Sequence, residues 1–427
     1  MTGRSSGAGA VALGGLVALA AAMGIGRFIY TPILPFMAEG LALTQAEAGI
    51  IASANFLGYL LGALAAALGR LPGGRRAWFL AALGLSALST GAMGLTISMP
   101  VFLALRLIGG VASAFVLVFA SALVLDRLSQ LRRERHAAVH FAGVGTGIAL
   151  SAVLVAGLAA AGGGWQGQWL AGGAISLLAL VLAAWLVPGG SETTPLSRPA
   201  TAGRSDRRLV ALIVAYGLFG FGYIITATFI SFIVRATPEL RPFEPVVWLA
   251  VGLAAVPSVG FWTWVGRRWG DDRAFALACL VEAAGVAMSV LTSEGWAVLV
   301  AAALLGGTFV GITALGLIRA RALSTGDPRR TLALMTASFG LGQMIGPFFA
   351  GTVHDITGGF LLPSLVAAGA LVVGAGLAID WDQVEKRRPP ARPVGNRGRP
   401  LRREASQACN VRVVPLYRRS AKGDRCD

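Results

Sequence analysis

The sequence has few charged residues and almost no lysine. Charged side chains make up 13% of the 427 residues, whereas apolar ones make up 56%; soluble domains average about 25% charged. The only lysines are Lys386 and Lys422, so the sequence has no Gly-Lys-Ser/Thr phosphate loop that would bind ATP. The cysteines, Cys279, Cys409 and Cys426, lack the spacing of a disulfide framework or metal site. This composition excludes a soluble protein and indicates a polytopic membrane protein.

Twelve apolar runs are long enough to cross a bilayer, which takes about 20 residues of helix. Because open sheet edges cannot face lipid, we predict an all-α fold. The high glycine content, 58 residues, suits closely packed membrane helices. We number the runs spans 1 to 12; they cover residues 9–36, 47–68, 77–98, 101–125, 137–161, 168–187, 209–234, 246–265, 274–292, 296–318, 331–353 and 360–379.

The cations lie almost entirely on one side of these spans. Of the 36 lysines and arginines, 32 fall in the loops and tail on the side of the two termini. Arg235 and Arg241 lie on the opposite side, and Arg27 and Arg106 lie inside spans. The positive-inside rule therefore predicts a multi-pass cell (inner) membrane protein with both termini in the cytoplasm. A cleaved N-terminal signal would reverse this bias, so we predict that span 1 is retained.

The two halves of the chain match at an offset of 196 or 197 residues. Residues 24–27 (Gly-Ile-Gly-Arg) correspond to 220–223 (Gly-Phe-Gly-Tyr), and Arg132-Arg133 corresponds to Arg329-Arg330. An even number of spans in each half makes the repeats parallel, with a substrate site expected between them near mid-membrane. We predict four segments: a first six-helix half (1–188), a cytoplasmic linker (189–208), a second six-helix half (209–380) and a basic, disordered cytoplasmic tail (381–427).

Several motifs resemble those of a known transporter family. Over residues 9–380 the chain resembles the major facilitator superfamily, and segments 26–32 (Gly-Arg-Phe-Ile-Tyr-Thr-Pro) and 53–62 (Ser-Ala-Asn-Phe-Leu-Gly-Tyr-Leu-Leu-Gly) resemble its YbfB/YjiJ branch. The resemblance implies a major facilitator fold and secondary transport by alternating access, coupled to protons. The exporter-associated motif is imperfect at 143–147, which lacks its proline, and closer at 342–347 in span 11.

Arg27 is the first candidate for binding substrate. It follows Gly24 and Gly26 and precedes Pro32 and Pro35, so we predict that span 1 bends or unwinds there. Its guanidinium could bind a carboxylate or phosphate through two parallel hydrogen bonds. The alternative is an arginine that satisfies neighbouring carbonyls in a structural kink.

Arg106 and Glu282 are the other ionisable groups within spans. The resemblance implies that Arg106 lines the central cavity; the alternative is an arginine at the external mouth that pairs with Glu39 or Glu47. Glu282, in span 9, is the proton-coupling candidate, and a neutral, hydrogen-bonded glutamic acid is the alternative. Charge alone favours an anionic or zwitterionic substrate.

Polar side chains on spans 1, 2, 7 and 11 complete the predicted substrate-binding set, because such groups avoid lipid. Tyr223 occupies the repeat position of Arg27. The predicted set is Arg27, Tyr30, Asn55, Tyr59, Arg106, Tyr223, Thr226 and Gln343. Pairs of glycines one turn apart, such as Gly58 with Gly62 and Gly342 with Gly346, would form sliding contacts between the halves or static packing.

These features predict a monomeric secondary transporter of a small organic solute, with protons or another coupling ion as partner. The spans contain neither a nucleophile with a base nor a metal cluster, so we predict no enzyme, cofactor or metal site. The basic tail is expected to bind anionic lipids, and nucleic acid is not an expected partner. An exporter of hydrophobic drug-like compounds and a solute sensor that does not transport stay open as alternatives.

Overall fold

The computed structural model describes residues 7–68, 72–189, 207–324 and 328–379. In these ranges the chain is helical and has no strand, and twelve helices are long and apolar enough to cross a membrane, as the sequence predicts. Spans 1 to 12 are Ala8–Leu41, Gln45–Ala66, Arg75–Leu95, Met99–Gln130, Glu134–Ala160, Trp165–Leu186, Arg207–Ala236, Arg241–Trp269, Asp271–Leu291, Gly295–Leu323, Arg330–Thr357 and Leu361–Ala378.

Several helices are longer than their apolar runs. Span 4 has 32 residues and span 10 has 29, whereas about 20 suffice to cross the hydrocarbon core. The additional turns carry residues such as Arg127 and Arg321, which lie in the last turns of these two helices. Helical hydrogen bonding therefore continues past the predicted apolar segment, into the region where charged side chains meet water.

The twelve spans form the two six-helix halves of a major facilitator fold, spans 1–6 and spans 7–12. We call the face where span 1 begins and span 12 ends proximal, and the opposite face distal. Between the halves, span 2 packs along span 11, span 5 along span 8, and the second part of span 1 against span 7. We call this boundary the central seam.

The predicted linker and tail lie outside the described residues, apart from the ends of the linker. Arg207 and Arg208, which we placed in the linker, belong to the first turn of span 7. The division of the chain at 188, 208 and 380 therefore stays a prediction.

Span 1 is broken near its middle, which confirms the predicted bend. An α-helix over Ala8–Leu19 continues as a π-helix over Ala20–Ile25; residues 26–29 form a turn, and an α-helix resumes over Tyr30–Leu41. Pro32 lies in the first turn of the resumed helix, where a missing N–H is tolerated. The corresponding part of span 7 is a continuous helix, so only one half carries the break.

The predicted glycine pairs pack within their own halves. A Cβ atom at Gly58 would overlap the carbonyl oxygen of Leu107 in span 4, and one at Gly342 would overlap that of Gly217 in span 7. Contacts across the seam involve other glycines; Gly145 in span 5, for example, lies against span 8. Of the two interpretations, static packing is therefore the one that these contacts support.

We predict that Gly58→Val destabilises the folded protein, because the branched side chain has no space beside Leu107. Overpacking of this kind typically costs about 1–3 kcal/mol. The measurement is the Tm of the purified protein in detergent. The matched control is Gly369→Ala, on an open surface of span 12, which should leave the Tm unchanged or slightly higher. Equal Tm values for Gly58→Val and the unmodified protein would contradict this account of the packing.

Candidate substrate-binding site

The break in span 1 places Arg27 at the central seam. Its side chain is buried, and Nη2 donates a 2.7 Å hydrogen bond to Oε1 of Gln343 in span 11. The amide nitrogen of Gln343 in turn donates to the hydroxyl of Tyr223 in span 7. One chain of hydrogen bonds therefore runs from the broken helix of the first half to two helices of the second.

Aromatic rings surround the guanidinium of Arg27. Its central carbon lies 4.1 Å from the ring centroid of Tyr59, 4.7 Å from that of Phe56 and 5.4 Å from that of Phe28. Such contacts stabilise a cation electrostatically, and more strongly where water is excluded. They leave donor capacity free, because Nε of Arg27 has no hydrogen-bond partner among the described residues.

Arg106 binds the backbone that the break exposes. Its two Nη atoms donate to the carbonyl oxygens of Gly26 and Arg27, at 3.3 and 3.2 Å. It does not pair with Glu39 or Glu47, which was the alternative interpretation. Glu39 binds Arg235, and Glu47 accepts a hydrogen bond from the N–H of Thr44. The arginine that satisfies carbonyls in the kink is therefore Arg106, and Arg27 is left to reach across the seam.

These two arginines lie close together without a neutralising carboxylate. Both are nearly inaccessible to solvent, and among the described residues neither forms an ion pair. A buried charge is costly unless it is paired or hydrogen-bonded. The carbonyl, amide and ring contacts lower that cost but leave the local charge positive, so an anion in this region would be favoured.

Of the other predicted site residues, all but Thr226 fall into two groups. Tyr59, Tyr223 and Gln343 lie around Arg27. Asn55 and Tyr30 lie around Arg106: Asn55 donates to the Arg106 carbonyl at 3.0 Å, and the Arg106 guanidinium lies 4.9 Å from the Tyr30 ring.

Tyr30 and Thr226 differ in how their hydroxyls are used. The Tyr30 hydroxyl donates to the carbonyl of Ala48 at 2.8 Å, which joins span 1 to span 2. Thr226 is buried, and its hydroxyl has no partner among the described residues. The contacts of Tyr30 are therefore structural in this conformation, whereas Thr226, in span 7, has a hydroxyl without a partner among the described residues.

An aromatic stack beside Tyr223 is absent from the predicted set. The Tyr223 ring lies nearly parallel to Phe309 of span 10 (5.5 Å, 7°) and to Phe339 of span 11 (5.9 Å, 6°). Phe219, one helical turn earlier in span 7, also stacks on Tyr223, at 5.1 Å. The i, i+4 spacing of Phe219 and Tyr223 was the only signal in the sequence; the partners from spans 10 and 11 required the fold.

On the distal face, an ion-pair cluster joins the halves. Arg235 of span 7 donates to Glu39 of span 1 at 2.7 Å and to Glu244 of span 8 at 3.0 Å. The Arg235 guanidinium also lies 4.1 Å from the ring of Phe36. The sequence offered one clue, since Arg235 is one of only two cations predicted on this face.

A second distal contact caps a helix across the seam. The carboxylate of Asp355, at the end of span 11, accepts the backbone N–H groups of Gln45 and Ala46 at 3.1 and 2.9 Å. These N–H groups begin span 2 and have no acceptor within their own helix. The helix dipole also stabilises a carboxylate at this end of the helix. We call Glu39, Arg235, Glu244 and Asp355, with these N–H groups, the distal latch.

Glu282 lies in span 9, which packs mainly against spans 10 and 12 of its own half. It is fully buried in span 9, and neither carboxyl oxygen has a hydrogen-bond partner among the described residues. The hydroxyl of Thr308, in span 10, is beside it but donates to the Leu304 carbonyl at 2.6 Å. Its predicted role in proton coupling stays a prediction.

The two bundles, the broken helix and the buried polar seam define a transporter of the major facilitator superfamily. The family described as uncharacterised MFS-type transporter YbfB matches residues 19–379, and the chain belongs to this family. This agrees with the resemblance noted in segments 26–32 and 53–62.

Comparisons with individual proteins agree with this assignment. The chain is 27% identical over 366 residues to a chloramphenicol resistance protein of Streptomyces lividans, covering 83% of this chain and 91% of that protein. Two solved structures share the fold, each with a TM-score of 0.67. A mutant of the nucleoside transporter NupG is 13% identical, covering 86% of this chain and 98% of that chain. A bacterial homologue of the human lysosomal transporter Spinster, in an inward-facing and unoccupied conformation, is 16% identical, covering 91% and 100%.

We predict that Arg235→Ala weakens closure of the distal face, because it removes both ion pairs that join span 7 to its neighbours. Thr31 is buried in span 1, between Arg27 and the latch residue Glu39 in the sequence. A single cysteine placed at this position, in a variant without the native cysteines, should then react faster with an impermeant maleimide added from the distal side. A loss of about 1 kcal/mol corresponds to a roughly fivefold rate increase.

The matched control for the latch is Arg241→Ala, which removes the other cation of the distal face. It should leave the labelling rate unchanged, because Arg241 is exposed and lies outside the latch. Equal rates in Arg235→Ala and Arg241→Ala would show that the latch does not hold this face closed.

Proposed function

We propose that this protein is a secondary active transporter of a small organic anion, or of a zwitterion that presents an anionic group. The single observation that supports this most strongly is the pair of buried arginines, Arg27 and Arg106, neither of which forms an ion pair among the described residues. A substrate carboxylate or phosphate would supply the missing negative charge, and charge-assisted hydrogen bonds to a guanidinium are strong and directional.

In this proposal Arg27 binds the anionic group and Arg106 positions Arg27. Substrate would replace the Gln343 amide oxygen as acceptor for Arg27 and would also use its free Nε donor. Gln343 and Tyr223 would then contact the substrate from the second half. Because the ligands come from both halves, substrate binding would change the interaction between them, which alternating access requires.

We further propose that the halves rock about the seam while the distal latch opens and closes. The conformation with the latch formed is closed to the distal side. The arginine distribution supports cytoplasmic termini and a cell (inner) membrane location, which would make the distal face the external one. In this orientation the basic tail would lie beside the anionic lipids of the cytoplasmic leaflet. In this proposal the protein works as a monomer and does not chemically convert its substrate.

An ion gradient is the proposed energy source, since the sequence has no phosphate loop for ATP. A proton is the favoured coupling ion, with Glu282 as its binding site. The seam itself has no ion-paired carboxylate at Arg27 or Arg106 among the described residues. Coupling would therefore act through helix packing between spans 9, 10 and 7, in which Phe309 follows Thr308 and stacks on Tyr223.

The second candidate function is export of an uncharged, drug-like compound. It is favoured by the similarity to a chloramphenicol resistance protein and by the aromatic stack of Phe219, Tyr223, Phe309 and Phe339, which could receive a planar apolar group. In this case Arg27 would have a structural role, and its substitution would affect the transport of charged and uncharged compounds equally.

Counterflow in proteoliposomes tests the binding role of Arg27. We expect at least one radiolabelled carboxylate or phosphate ester to exchange, and Arg27→Met to lower kcat/KM for it at least about tenfold, because a charged hydrogen bond contributes about 1.5–3 kcal/mol. Arg27→Lys, which keeps the charge, should lose less. The matched control is Arg241→Met, and the Tm of each variant checks folding.

Three other outcomes of the same assay would contradict the proposal. Undiminished exchange of every anion by Arg27→Met would remove its main support. Exchange of chloramphenicol but of no anion would favour the drug exporter. Binding of solute without exchange of any would indicate a sensor.

Glu282→Gln should abolish the response to a pH gradient while it preserves exchange at equal pH. An inward or outward proton gradient is expected to accelerate net uptake by the unmodified protein, whereas the neutral amide cannot carry the proton. The matched control is Glu294→Gln on the exposed distal surface, which should behave like the unmodified protein. A full gradient response in Glu282→Gln would rule out this residue as the coupling site.

A further inference from the structure

The Arg27 guanidinium lies in aromatic surroundings that continue into the second half. The rings of Tyr59, Phe56 and Phe28 lie 4.1 to 5.4 Å from it. Phe28, which follows Arg27 in the break of span 1, contacts Phe309 of span 10 edge to face, with ring centroids 6.0 Å apart. If an anionic group binds Arg27, the adjoining part of the substrate therefore contacts aromatic rings.

These contacts form a closed circuit across the seam. Phe309 lies nearly parallel to Tyr223 of span 7, at 5.5 Å and 7°. The Tyr223 hydroxyl accepts a hydrogen bond from the amide nitrogen of Gln343, and the amide oxygen of Gln343 accepts one from Arg27 at 2.7 Å. A substrate that replaces Gln343 as acceptor for Arg27 therefore lies among rings of both halves, with Phe28 on one side and the Phe309–Tyr223 pair on the other.

Trp248 of span 8 adds to this circuit a hydrogen-bond donor that has no acceptor. Its ring lies 6.4 Å from that of Phe28, at an angle of 56°. The side chain is 1% exposed, and the indole N–H has no partner among the described residues. A donor buried without an acceptor costs free energy, and most buried donors therefore have a partner. A substrate that packs against Phe28 can supply the missing acceptor.

We propose that the substrate is an aromatic carboxylate whose ring carries a hydroxyl or another hydrogen-bond acceptor, an inference that rests on the proposed anion transport. The carboxylate binds Arg27, and the ring packs among Phe28, Phe309 and Tyr223. The acceptor on the ring receives the N–H of Trp248. Aromatic pairs are stabilised beyond the burial of their area, so these side chains distinguish an aromatic ring from a saturated ring of similar size. Phe28 and Trp248 are thus residues that determine specificity.

Counterflow of four radiolabelled anions in proteoliposomes that contain the full chain tests this substrate class. Phenylacetate and cyclohexylacetate differ in the aromaticity of the ring, and the para-hydroxy derivative of each adds an acceptor. We expect para-hydroxyphenylacetate to exchange with a kcat/KM about fivefold above that of its saturated analogue. Phe28→Leu, which replaces a ring by an aliphatic group, should reduce this preference while exchange continues. Liposomes without protein give the background.

Trp248→Phe separates hydrogen bonding from packing, because it keeps an aromatic ring and removes the N–H. It should lower kcat/KM for para-hydroxyphenylacetate about fivefold and leave that for phenylacetate nearly unchanged. A purely structural role of Trp248 would affect both anions equally. The matched control is Trp296→Phe, on the exposed distal end of span 10, which should behave like the unmodified protein. The Tm of each variant checks folding.

Several results would overturn this substrate class. These are exchange of none of the four anions, equal kcat/KM for the aromatic and the saturated member of each pair, an unchanged preference in Phe28→Leu, or the same effect of Trp248→Phe on both aromatic anions. If Trp248→Phe does not fold, the ring pairs in the unmodified protein and in Phe28→Leu decide the matter. Failure of the proposed anion transport has a different result, which is undiminished exchange of every anion by Arg27→Met.

Discussion

The structure depends on how a broken helix is tolerated inside a membrane protein. Backbone carbonyls that lose their helical partners in a dry interior need other donors. Arg106 provides two of them, to Gly26 and Arg27, and so stabilises the break from span 4. This arrangement also affects the second half. Because Arg106 binds the exposed carbonyls, the side chain of Arg27 extends across the seam to Gln343.

The halves are joined by two kinds of interaction at two depths. In the interior they meet through Arg27, Gln343 and Tyr223, where water is excluded and each hydrogen bond is expensive to leave unmade. On the distal face they meet through the latch, where Glu39 is largely exposed. Ion pairs near water contribute little individually, and they can therefore separate and re-form. Glycine packing, by contrast, lies mostly within each half, where close backbone contacts hold the helices of that half together.

The interior charges are divided between the halves in a consistent way. Two cations, Arg27 and Arg106, lie in the first half at the seam, and one buried carboxyl, Glu282, lies in span 9 of the second half. These groups do not form ion pairs with one another. Each could therefore bind a mobile ion of opposite charge. The aromatic stack of Phe219, Tyr223, Phe309 and Phe339 lies beside the hydrogen bonds that join Arg27, Gln343 and Tyr223.

The sequence alone determined the number of spans, the all-α fold, the break in span 1 and the identity of the interior charges. Each of these features depends on residues that are close together in the chain, such as an apolar run, a proline or a single arginine within a span. The sequence could not determine partners. Three contacts depend on helices that are distant in the chain meeting at particular rotations. Arg106 binds carbonyls while Arg27 binds Gln343, the glycine pairs pack within halves, and Asp355 caps span 2. Spacing within one helix predicts which face is polar, but it cannot say which other helix covers that face. Only the tertiary structure decided this, because packing selects one arrangement among many that satisfy the same hydropathy pattern.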